Sequence, residues 1–75
     1  MNNERRKQIT AVVSQIETAL TQLESLRDEE QEYMDNMPES LQGSTKYEDA
    51  EQAVADMDEA LENLQEASNS LGNIQ

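Results

Sequence analysis

Seventy-five residues with 17 acids, five bases and a formal net charge of −12 make one small domain, residues 1–75, whose surface repels nucleic acid and anionic membranes and attracts basic partners. Cysteine and histidine are both absent, which excludes disulfides, thiol chemistry and any Cys–His or Ser–His nucleophile pair. No apolar run approaches the roughly 20 residues of a membrane span, and no apolar segment or small-residue cleavage site follows the basic start Met1–Lys7, so the expectation is a soluble, cytoplasmic protein.

High charge with few aromatics borders on the composition of a disordered acidic tail. Apolar spacing argues for a fold instead. Ile9, Val13, Ile16, Leu20 and Leu23 recur at intervals of 4, 3, 4 and 3, an a/d heptad seam with Ile9, Ile16 and Leu23 at d. Val12, Ala19, Leu26 and Tyr33 form a second row at g, giving the wide apolar face of a bundle helix. Helix one is predicted over 3–36, with Asn2 or Asn3 as N-cap. Arg5, Arg6 and Lys7 oppose the helix dipole in its first turn. Arg27 and Glu30 interrupt the seam before Met34 and Met37 resume it. The drift of a 3.6-residue helix is expected to bring Leu26, Tyr33 and Met37 onto the buried face there.

Pro38 ends the first helix, because the residue before a proline avoids the α region. In the connector, 37–44, Gly43 offers a low-cost positive φ. Leu41 is its branched aliphatic and is expected to fold back as a plug on the helix pair, with Met34 and Met37 filling the irregular end. Thr45-Lys46-Tyr47-Glu48 reads as a capping box opening helix two, 45–71. Its seam is Tyr47, Ala50, Val54, Met57, Leu61, Leu64 and Leu71, with Ser68 in the remaining slot and Ala53, Ala60 and Ala67 at g. Leu71-Gly72 supplies the stop, and Ile74 follows as an apolar residue available for packing.

The expected fold is therefore all-α: an antiparallel two-helix hairpin. Two helices leave an apolar flank uncovered, so a two-fold dimer closing a four-helix bundle is expected. Its core residues would be Ile9, Val13, Ile16, Leu20, Leu23, Val54, Met57, Leu61 and Leu64. Residues 8–25 carry only Glu17 and Glu24 as acids, and this neutral stretch is the predicted dimer interface, since a face of carboxylates resists its own copy. A neutral, solvated face on a monomer is the alternative.

Motifs for chemistry fail one by one. Asp28-x-Glu30-x-Glu32 has Tyr33, and Asp56-x-Asp58 has Leu61, where a calcium loop needs glycine. A Glu-x-x-His di-iron site is impossible, and there is no glycine-rich phosphate loop. Carboxylate pairs for glycoside chemistry need a cleft that a hairpin does not offer. No enzyme activity, metal or cofactor is expected.

Acidity is the remaining signal. Residues 28–66 hold 14 acids and one base, Lys46. Glu48, Asp49, Glu51, Asp56, Asp58, Glu59, Glu62 and Glu66 place eight carboxylates along about 27 Å of helix. That is roughly one per 3.4 Å, the axial spacing of phosphates along one DNA strand. Asp28, Glu29, Glu32 and Asp35 extend the charge along helix one. An ordinary solvated face is the alternative reading of such acids.

"LESLRDEEQEYMDNMPESLQGSTKYEDAEQAVADMDEALENLQEA" resembles a family of small acidic proteins of phages and prophages of Gram-positive bacteria. The likeness covers roughly residues 20–67 and centres on Asp35-Asn36-Met37-Pro38-Glu39-Ser40-Leu41-Gln42. It implies a phage setting and a host bacterial cytoplasm. Small acidic phage proteins often block host nucleic-acid enzymes or defence systems. The functional expectation is accordingly a non-enzymatic acidic protein that occupies a basic surface on such a host protein, as a nucleic-acid mimic and inhibitor. Asp28, Glu29, Glu32, Asp35, Glu48, Glu51, Asp58, Glu59 and Glu62 would carry the binding. The alternative is a structural or assembly coiled-coil module acting through its apolar faces. Direct nucleic-acid binding through Arg5–Lys7 is opposed by the surrounding negative charge.

Overall fold

The computed structural model describes residues 1–74. Helix α1 spans Asn3–Asp35, a single 3-10 turn spans Glu39–Leu41, and helix α2 spans Thr45–Gly72. The two long helices pack side by side as an antiparallel hairpin. Cα extents of 59 × 14 × 13 Å describe a rod. The radius of gyration is 17.2 Å, against about 11 Å for a compact globule of this length.

Helix α1 starts because Asn2, in extended conformation, accepts the Arg5 amide on its Oδ1 at 2.8 Å. Of the two candidate asparagines, Asn2 is the cap and Asn3 is helical. At the other end Asn36 donates its amide to the Glu32 carbonyl at 3.0 Å, and Met37 donates to Met34 at 3.1 Å. Pro38 has no amide hydrogen to continue the series. The connector then closes through three-residue steps: Leu41 to Pro38, Gln42 to Glu39 and Ser44 to Leu41.

The expected capping box at Thr45–Glu48 is corrected by one residue. Ser44 is the N-cap of α2: its backbone is extended and its Oγ accepts the Tyr47 amide at 3.4 Å. The same hydroxyl donates to the Leu41 carbonyl, which ties the cap to the 3-10 turn. The positive φ offered at Gly43 is not used, whereas the stop expected at Leu71-Gly72 falls where α2 ends. No glycine has a positive φ among the described residues. Gly72 is the last helical residue, and its cap Asn73 stays right-handed.

The seam differs from expectation in the middle of α1. Leu26 and Tyr33 do not rotate inward; they are 55% and 48% exposed. Arg27 and Glu30 stay at their a and d positions and are half-buried. Burial keeps to the seven-residue repeat, so the a and d face and not the g row meets the partner helix along this stretch. On α2 the row runs unbroken from Tyr47 to Leu71, with Ser68 buried in the slot between Leu64 and Leu71.

Met34, Ala50 and Val54 form the buried cluster, with Tyr47 packed against it. Together with the Arg27–Asp58 contact, this cluster sets the register. Carried along the rod, the register places Leu23 level with Leu61, Leu20 with Leu64 and Ile16 with Ser68. Val13 and Val54 are buried, whereas Ile9, Ile16, Leu20, Leu23, Met57, Leu61 and Leu64 are half-buried. Among the described residues, no side chain is fully excluded from solvent. This is what two helices achieve: each seam residue has a neighbour in front and water at the side.

Leu41 does not plug the end of the pair. It remains exposed on the wall of an open depression of about 560 Å³, together with Tyr33, Met37, Pro38 and Lys46. Ile74 is exposed as well.

Candidate functional site

Because a and d positions carry the packing, every acid off the seam faces water. Glu48, Asp49, Glu51, Asp56, Asp58, Glu59, Glu62 and Glu66 are all exposed on α2, and Asp28, Glu29, Glu32 and Asp35 on α1. All nine acids expected to bind a partner are thus solvent-facing. They are not in one line. On α2 they occupy heptad positions b, c, e and f, so the charge wraps the outer side of the helix as a sleeve.

This sleeve is barely neutralised. Among the described residues Arg27 alone forms ion pairs: Nε donates to Asp58 Oδ1 at 2.8 Å, and Nη1 lies 3.5 Å from Asp28 Oδ1. The pKa of the guanidinium is raised above its ordinary value, first by the hydrogen bond to Asp58 and against the desolvation that burial imposes. Asp58 therefore differs from the other eight: it ties the two helices together and is only partly available to a partner. Asp35 and Asp56 accept side-chain hydrogen bonds from Gln31 and Gln52, each four residues earlier, at 3.0 and 2.9 Å. These neutral pairs hold carboxylates along the helix surface without cancelling their charge.

Charge is divided along the rod. Residues 28–66, with 14 acids and Lys46, make up the connector end and most of α2. Arg5, Arg6 and Lys7 stand exposed at the opposite, open end.

One flank of the rod is apolar, which the sequence-based reading did not assemble. In an antiparallel pair the g row of one helix borders the g row of the other. Here Val12, Ala19, Leu26 and Tyr33 border Ala53, Ala60, Ala67 and Ile74. Val12, Leu26, Tyr33 and Ile74 are exposed. The depression shared by Tyr33 and Lys46, each on its helix's g row, places both rows on one side. The opposite flank, at e, carries Glu17, Glu24, Glu51 and Asp58. The seven-residue spacing of both rows was visible in the sequence. What it lacked was the step from shared heptad letter to shared side. This apolar flank lies beside, and not on, the neutral outer positions of 8–25 expected to form the dimer interface.

Among the described residues, no group of three or more acids is placed to hold a metal ion, and no helix is long and apolar enough to cross a membrane. Comparison with protein-family models, curated proteins and solved structures finds no match to this chain.

Proposed function

We propose that the protein is a non-enzymatic acidic binding module that occupies a basic surface of another protein in place of nucleic acid. One observation carries the reading. The eight acids between Glu48 and Glu66 are all exposed, and among the described residues only Asp58 has an ion-pair partner. A sleeve of unneutralised carboxylates offers a basic groove what a polyanion offers: diffuse attraction and release of counterions. Because the acids wrap the helix, the match is to charge density and not to a helical track of phosphates. The resemblance around Asp35–Gln42 makes a host nucleic-acid-binding or defence protein, met in a bacterial cytoplasm by a phage protein, the partner class of choice.

The test compares capture of basic proteins from a bacterial lysate by the wild type and by a Glu51→Lys, Glu59→Lys, Glu62→Lys variant. Asp58 is left intact so that Arg27 keeps its partner. Captured protein should be displaced by duplex DNA, lose affinity by about a thousandfold between 50 and 200 mM salt, and not bind the variant. Salt-insensitive capture that tolerates the three reversals would sink the proposal.

A second reading is favoured by the exposed Val12, Leu26 and Tyr33: a structural module working through its apolar flank. Charge reversals would then be tolerated, and substitutions on that flank would abolish function.

A further inference from the structure

We propose that the apolar flank is covered by a second copy of the same chain, laid face to face and running in the opposite direction, to give a four-helix bundle with connectors at opposite ends. The inference is independent of the acidic-surface reading.

Size is the first ground. A rod of 59 × 14 Å presents about 800 Å² in projection on one face, close to the roughly 800 Å² per partner of a stable interface. Shape is the second. Along α1 the small Ala19 is followed one heptad later by the large Leu26. A two-fold axis between them, perpendicular to the rod, sets Ala19 of each copy under Leu26 of the other. The alanine rows of the two α2 helices then approach closely, since neither has side chains to hold them apart. An isologous interface of this kind needs a face that fits itself.

Charge selects both the occupant and its direction. Gln22 and Asn63 border the centre of the flank, and the nearest carboxylates on the same edges, Glu29 and Asp56, stand one heptad nearer the connector. Copies running the same way would set the 14 acids of residues 28–66 against their own kind. Copies running opposite ways bring each acidic connector end beside the other's Arg5, Arg6 and Lys7. None of these three bases has an ion-pair partner among the described residues. The exposed basic turn that opposes its own helix dipole thereby gains a role, as the contact for the partner's acids.

Sedimentation equilibrium of the whole chain at micromolar concentration should give twice the 8.5 kDa chain mass. A nitroxide at Gln42→Cys, the only thiol in that variant, should report a label-to-label distance near the 59 Å rod length. Leu26→Glu should sediment as a single chain and keep its helical circular dichroism. A monomeric wild type would overturn the proposal. So would connector labels within a few nanometres of contact, or a Leu26→Glu variant that still dimerises. The first two readouts alter nothing on the flank, so they decide the matter even if Leu26→Glu fails to fold.

Discussion

Ser44 shows how much of this hairpin rests on single hydroxyls. It stops the 3-10 turn by donating to Leu41 and starts α2 by accepting from Tyr47. Ser44→Ala is expected to cost about 1 kcal/mol. That corresponds to a fall in Tm of about 4–8 °C in a chain of this size, measured by thermal melts in circular dichroism. Thr45→Ala, one residue inside the helix and exposed, should change stability by less than about 0.5 kcal/mol. A larger loss at Thr45 than at Ser44 would restore the cap to the threonine. Arg27 is the other decisive residue. Its pKa is raised by the bond to Asp58, so the stabilisation from its charge is complete below its ordinary pKa and is lost only in strong base. Across the neutral range this cross-helix tie responds to salt and not to deprotonation of the arginine.

Within each helix, the question is what polar residues do at seam positions. Glu30 stands at d, half-buried, level with Val54 in the register described. A polar residue at such a site lowers stability while restricting the alignments that the helices can adopt. Glu30→Leu should raise unfolding free energy by about 1 kcal/mol, somewhat below full burial of a leucine, as read from urea denaturation. A destabilised variant would mean that Glu30 holds a contact worth more than the leucine. The same pair of positions explains where reading the sequence stopped. The intervals of three and four from Ile9 to Leu23 and from Tyr47 to Leu71 are enough for two helices and the outward acids, because those features depend on period alone, and the short connector 37–44 supplies their antiparallel direction. Arg27 and Glu30 read as a break because they are charged. Yet the seven-residue repeat continues beneath them, and both remain half-buried in it. The flank was half legible for a related reason: each g row could be seen by itself, but their adjacency depends on antiparallel pairing. The cap was missed because Ser44 and Thr45 carry the same chemistry, and only the backbone of the connector chooses between them. Gly43 keeps a negative φ because glycine permits positive φ without requiring it.

For the molecule as a whole, like charges dominate. Asp28 and Glu32, Asp58 and Glu62, and Glu62 and Glu66 stand four residues apart, and each such pair opposes its helix by about 0.2–0.5 kcal/mol at low salt. Among the described residues, one cross-helix ion pair acts in the other direction. Raising the ionic strength shortens the Debye length below the spacing of these groups, so Tm should climb by on the order of 5–10 °C between low and molar salt. A fall over the same range would show that attraction, and not repulsion, governs the charged surface. The elongated outline has a practical corollary. A rod with a 17.2 Å radius of gyration meets far more drag than a ball of equal mass. On a gel-filtration column, one such chain therefore travels with globular standards well above its own weight, and elution volume alone does not count copies. Methods that weigh the particle, such as light scattering or centrifugation, separate one hairpin from two.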